Sequence, residues 1–206
     1  MTDVFHYIEI MGAISMAISG ALTAIKMKFD GFGIIIIAFT SAVGGGTLRD
    51  MLLTDKEVFW LHDSTYIYLI LIGAIIAIVF KSKQRFIYRP LMFFDAIGLG
   101  FFTILGVQIG INQGLDLIHS VLLGTITGTF GGIIRDILVN KIPVIFQKEI
   151  YATISLLGGL SYYSLTFTGL PIFWMKIIPI AFIIIARLIV LRLKLSLPSI
   201  YSDKEE

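Results

Sequence analysis

The residues best equipped for chemistry come in two matching sets. Gly45-Gly46-Thr47-Leu48-Arg49-Asp50 and Gly131-Gly132-Ile133-Ile134-Arg135-Asp136 repeat one pattern, a glycine pair, a spacer, an aliphatic residue and then Arg-Asp, at an offset of 86 residues. Gly44 extends the first set to three glycines. Ionisable groups inside apolar sequence are costly unless partnered, which makes them functional candidates. Arg49 and Asp50 are adjacent, as are Arg135 and Asp136, so on a helix they point in different directions and are expected to pair poorly with each other. Better partners are Glu9 for Arg49 and Asp95 for Arg135, two acids that the same offset places in register. Asp50 and Asp136 are then expected to face aqueous mouths and concentrate cations. The competing reading is that both arginines snorkel to lipid headgroups.

Three consecutive glycines weaken a helix by about 2–3 kcal/mol relative to alanine. A bilayer tolerates a broken backbone only where it is buried in protein or lines a wet cavity. Carbonyls freed at such a break can replace part of a cation's hydration shell. Close helix packing through small residues is the alternative role for Gly44, Gly45, Gly46, Gly131 and Gly132. Hydroxyls also form stripes: Ser15, Ser19 and Thr23 in one block, Thr40, Ser41 and Thr47 in the next, Thr125 and Thr129 in a later one. They suit the lining of a hydrated cation path and serve equally as hydrogen-bond glue between helices. Gln108 is a further lining candidate.

No nucleophile–base pair, phosphate loop or metal-ligand spacing is legible, so catalytic and metal residues, a resident cofactor and an enzymatic activity are not expected. Permeant potassium or sodium would be the bound species. Cys is absent, which removes disulfides and thiolate chemistry, and His6, His62 and His119 are scattered. No nucleic-acid partner is expected.

The elements that must position these groups follow from composition. Of 206 residues 57% are hydrophobic and only 15% charged, well below the roughly one-quarter charged of soluble domains. Seven apolar blocks fall at about 5–25, 31–53, 65–82, 90–110, 116–138, 148–167 and 172–194, each near the roughly 20 residues that cross a bilayer. The expectation is an all-α integral membrane protein: seven transmembrane helices, as two inverted three-helix repeats plus a C-terminal helix. The single membrane domain divides as 1–86, 87–170 and 171–206. A repeat of three spans enters the bilayer from the opposite face, and inverted repeats are typical of transport proteins.

Basic residues gather at alternate connections: Lys26 and Lys28, then Lys81, Lys83, Arg85 and Arg89, then Lys141 and Lys148, then Arg192, Lys194 and Lys204. The positive-inside rule puts the amino terminus outside and the carboxy terminus in the cytoplasm. The first block lacks the basic start of a cleavable signal, carrying Asp3, His6 and Glu9 instead. Trp60, Trp174, Tyr66, Tyr68, Tyr162 and Tyr163 are expected as interface anchors, and Arg187 as a snorkelling residue.

The twice-written glycine–Arg-Asp motif, the run from Phe94 to Phe102 (FDAIGLGFF) and the run from Lys141 to Ala152 (KIPVIFQKEIYA) resemble the prokaryotic trimeric intracellular cation channels, a family also labelled glycine transporter. The resemblance covers essentially the whole chain. It implies a multi-pass inner-membrane homotrimer with one pore per protomer, framed by spans one, two, four and five. It implies further that glycine-kinked spans two and five form the constriction and that monovalent cations, chiefly potassium, permeate. Animal members carry a basic lipid-binding and voltage-sensing element in span four; Leu91 to Gly110 here holds no Lys or Arg. A passive cation channel is therefore the leading expectation, and a secondary transporter of a small zwitterion such as glycine the alternative.

Overall fold

Asp30 and Asp116, in register across the two halves, each start a helix. Their carboxylates accept the amide N–H three residues on, from Gly33 at 2.8 Å and His119 at 2.9 Å, satisfying a donor that a helix start leaves free. The helices so begun are α2, Gly31–Leu52, and α5, Leu117–Leu138. The computed structural model describes residues 2–54, 56–80, 88–147 and 150–196. Within these lie also α1 (Thr2–Lys26), α3 (Thr65–Phe80), α4 (Tyr88–Asn112), α6 (Ala152–Leu165) and α7 (Ile172–Leu193). The charges at Asp55, Lys81, Lys83, Arg85, Lys148 and Lys204 fall outside the described residues.

The fold is all-α, with seven helices among the described residues and 3₁₀ turns at Phe59–Leu61 and Val144–Phe146. Five helices are long and apolar enough to cross a membrane: α1, α2, α4, α5 and α7. The third helix of each half is shorter, α3 with 16 residues and α6 with 14. At 1.5 Å per residue α6 reaches about 21 Å, short of the roughly 30 Å hydrocarbon layer, and the described part of α3, which ends next to residues outside those described, about 24 Å. The 3₁₀ turns at Phe59–Leu61 and Val144–Phe146 precede the expected spans 65–82 and 148–167, and of the second span the helix takes up Ala152–Leu165.

Helices α1, α2, α4 and α5 form a four-sided frame in which each packs on two others. Helix α3 covers α1 and α2, α6 covers α4 and α5, and α7 lies on α4 and α6. Glycine contacts fix the directions. A Cβ on Gly12 would meet Phe102 at 3.1 Å, and one on Gly98 would strike Met16, so α1 and α4 run antiparallel. A Cβ on Gly45 would strike the Thr127 carbonyl oxygen, and one on Gly131 the Ser41 carbonyl oxygen, so α2 and α5 are antiparallel too. Each pair of contacts maps onto itself under the 86-residue shift, which is what inversion of two equivalent halves requires.

Both motif helices run unbroken through their glycines. The backbone break expected at Gly44–Gly46 and at Gly131–Gly132 is therefore absent, and close packing accounts for these glycines here. With no Cβ on either side, the backbones of α2 and α5 come into direct contact and shield one another. Met16 and Ile134 abut the same crossing.

Candidate functional site

Two clusters are built on this frame, one from each motif. Arg135 Nη1 donates to Asp95 Oδ1 at 2.6 Å and to the Ser19 hydroxyl at 2.9 Å, while Nε donates to Asp136 Oδ1 at 2.9 Å. The second oxygen of Asp136 accepts the Val144 N–H at 3.3 Å. In the other half, Arg49 Nε donates to Asp50 Oδ1 at 2.8 Å, Asp50 Oδ2 accepts the Phe59 N–H at 3.0 Å, and Arg49 Nη2 lies 3.9 Å from Glu9. The Arg49 guanidinium also sits 5.5 Å over the Phe59 ring, and its Nη1 finds no hydrogen-bond partner among the described residues.

Helix α1 serves as a ruler between the clusters. Glu9 belongs to one and Ser19 to the other, ten residues and so about 15 Å apart along the helix. The two arginines thus mark opposite ends of the frame.

Two expectations are corrected. The adjacent Arg and Asp of each motif do pair, because Nε lies close to the chain and the arginine stem curls onto the next carboxylate while the terminal nitrogens reach another helix. Asp50 does not face an aqueous mouth, being fully buried, and Asp136 is buried too, although it borders the cavity at the Arg135 end. Their outward oxygens are occupied by the amides of the turns at Phe59 and Val144, which pulls those turns into the bundle. Charge-assisted acceptance of a backbone N–H is worth more than a neutral hydrogen bond.

The hydroxyl stripes are mostly turned inward on their own helices. Ser15 bonds the Met11 carbonyl, Thr23 that of Ser19, Thr40 that of Ile36, Ser41 that of Ile37, Thr125 that of Val121 and Thr129 that of Thr125. Ser19 and Thr47 are exceptions, Ser19 accepting from Arg135 and donating to the Leu91 carbonyl at 3.3 Å. Thr47 accepts from the indole N–H of Trp60 at 2.9 Å, so Trp60 ties a loop to α2 as well as lying near a helix end. Tyr66 and Tyr162 are buried, not interface anchors: Tyr66 packs edge-on against Phe59, and the Tyr162 hydroxyl bonds Gln108. Arg187 does not snorkel; it is 1% exposed, bonds the Ile150 carbonyl at 2.8 Å and stacks over Tyr151.

A cavity of about 190 Å³ opens at the Arg135 end, its walls including Thr23, Lys26, Arg135, Asp136 and Lys141. Burial, with Lys26 nearby, holds the Lys141 ammonium below its usual pKa. His62 pairs with Glu57 and His119 with Asp116, and no group of three or more His, Asp or Glu side chains converges among the described residues.

A family model described as Glycine transporter matches the chain twice, over residues 6–82 and 92–167. The UPF0126 inner membrane protein YadS of Escherichia coli K12 is 34% identical over 201 residues, 97% of both chains. A UPF0126 membrane protein of Vibrio cholerae is 34% identical over 199 residues, 96% of this chain and 83% of that one. The solved structure of the TRIC trimeric intracellular cation channel orthologue from Rhodobacter sphaeroides aligns at a TM-score of 0.87 and 31% identity, covering 93% of this chain and 99% of that one. A prokaryotic TRIC channel in 0.5 M KCl aligns at 0.87 and 31% identity, covering 94% and 98%. Apolar helices and relatives agree on a multi-pass membrane protein. Similarity of this extent, in sequence and in fold alike, leaves one assignment: the chain belongs to the prokaryotic TRIC family.

Proposed function

We propose that the chain forms a cation channel, with the conducting route of each protomer running through the frame of α1, α2, α4 and α5. The observation that carries this reading is the pair of buried arginine–acid clusters set at opposite ends of that frame, in a chain whose solved relatives are TRIC cation channels. On this reading the backbone contact of α2 and α5 at Gly45 and Gly131 belongs to a closed conformation. Conduction then requires these helices to part, and Gly44, Gly45, Gly46, Gly131 and Gly132 ease the parting because they bring no side chains of their own to the contact. Arg49, Asp50, Arg135 and Asp136, with Glu9 and Asp95, set the charge at the two ends. Ser15, Ser19, Thr40, Ser41, Thr125 and Thr129 supply hydroxyls to an opened path.

The proposal extends to a homotrimer in the inner membrane, amino terminus outside and carboxy terminus in the cytoplasm, passing potassium in preference to sodium and chloride. Purified protein in planar bilayers under a potassium chloride gradient tests it. A reversal potential near that of potassium is expected. Reversal near the chloride potential overturns the cation reading, and silence in bilayers together with saturable glycine uptake into liposomes replaces it with a carrier. The carrier is the second reading because the Glycine transporter model matches both halves.

A further inference from the structure

Arg187 has no counterpart in either repeat, because α7 stands outside both. A buried arginine in a membrane protein is costly and marks a functional position. This one makes two specific contacts. Its Nη1 donates to the Ile150 carbonyl at 2.8 Å, and its guanidinium lies 4.7 Å from the centre of the Tyr151 ring, a geometry in which cation and aromatic face attract strongly once water is excluded.

Tyr151 carries the contact onward. It is buried, and its hydroxyl has no hydrogen-bond partner among the described residues. That hydroxyl is aimed at Gly132. The point where a Cβ on Gly132 would stand is 3.4 Å from the Tyr151 oxygen, 3.5 Å from Arg135 Nη2 and 3.8 Å from Asp95 Oδ1. Gly132 is thus a notch around which a hydroxyl, a guanidinium and a carboxylate converge. The equivalent glycine of the first half, Gly46, faces the apolar Phe59 ring instead. The first half also sets a buried tyrosine beside its acid–arginine pair, Tyr66 against Glu9, so what distinguishes this end is Arg187 of α7, stacked over Tyr151.

We propose that Arg187 is a positioning residue: by pinning Tyr151 beside the Arg135–Asp95 pair it keeps this end of the pathway shut. The inference rests on the channel reading, and the test separates the two. Full-length protein in planar bilayers with symmetric potassium chloride is compared with Arg187→Lys, Arg187→Met, Tyr151→Phe and the Arg187→Met/Tyr151→Phe double variant. Arg187→Met, which removes the cation over the ring, and Tyr151→Phe, which removes the hydroxyl beside the Arg135–Asp95 pair, are each expected to raise open probability by about threefold or more, with conductance unchanged. The double variant goes no further than the larger single one. Arg187→Lys, which can still donate to Ile150 and sit over the ring, stays within about twofold of wild type. Effects that multiply in the double variant, or unchanged open probability in both singles, overturn the inference. If Arg187→Met does not yield intact protein, Tyr151→Phe decides.

A readout independent of current is available because the chain has no cysteine. Thr23→Cys, in the wall of the cavity beside Arg135, gives a single labelling position. Adding Arg187→Met or Tyr151→Phe is expected to speed its reaction with a membrane-impermeant thiol reagent by about threefold or more. Unchanged labelling with both overturns the positioning role. Faster labelling in a protein whose wild type is silent in bilayers removes the channel reading and leaves the positioning role standing.

Discussion

Arg135 stands 2.6 Å from Asp95, with both side chains at most 4% exposed. The matching pair in the first half, Arg49 and Glu9, is 3.9 Å apart, and Glu9 is 17% exposed. One duplicated motif thus yields one tight buried ion pair and one looser pair whose acid is partly exposed. The sources of the difference are Ser19, which adds a third acceptor for Arg135, and the shorter aspartate, which has less freedom than a glutamate.

Removing one partner of a buried pair leaves an uncompensated charge. Asp95→Asn is expected to cost about 3 kcal/mol, softened by the remaining Asp136 contact. Glu9→Gln is expected to cost under about 1 kcal/mol, because that pair is longer and its acid partly exposed. Thermal unfolding of the purified protein in detergent measures both; equal losses would show that the halves are energetically equivalent after all.

At the α2–α5 crossing any side chain must displace backbone. Gly45→Ala and Gly131→Ala each drive a methyl into a carbonyl oxygen of the facing helix and are expected to lose about 1–3 kcal/mol. Gly31→Ala, where a Cβ would meet nothing within 4 Å, is expected to be neutral or to gain a few tenths of a kcal/mol. The same melting assay checks the contrast.

The hydroxyls divide by what they bond. Ser19→Ala removes an acceptor from buried Arg135 and should cost about 1–2 kcal/mol. Ser15→Ala removes only a bond to its own helix and should change stability by less than about 0.5 kcal/mol. If Ser15 lines the opened route, its replacement shows instead as a lower single-channel conductance.

The Asp116 cap carries a pH signature. Its carboxyl is held below the usual aspartate value, first by the backbone N–H of His119 and then by the His119 side chain. A carboxyl depressed by folding contributes stability above its unfolded pKa, about 3.9, and loses it as pH falls through the lower folded value. Asp116→Ala should therefore melt below wild type near neutral pH, with the gap closing as the pH is lowered under about 4. A gap that persists into acid would mean that the cap's charge is not what stabilises α5.

Much of this was legible in the chain. The 86-residue offset pairs Glu9 with Asp95 and Arg49 with Arg135, and a three-span unit repeated once must invert, so the placing of acid against arginine at opposite ends could be read from spacing. Adjacent Arg and Asp misled, because side-chain length was left out: an arginine stem is long enough to bond its neighbour through Nε and still reach another helix through Nη. The glycines misled in a similar way. A run of three reads as a weak helix, yet whether it bends depends on what lies against it.

The sequence by itself determined the seven apolar segments, their duplication and the acidic and basic residues that must find partners, since hydrophobic length and ion-pair cost act on any arrangement of the chain. Only the tertiary structure decided that the glycines of α2 and α5 meet backbone to backbone, that buried Asp50 and Asp136 hold the turns at Phe59 and Val144, and that Arg187 sits buried on Tyr151. Those outcomes depend on contacts between residues far apart in the chain, where packing in three dimensions overrides local preference.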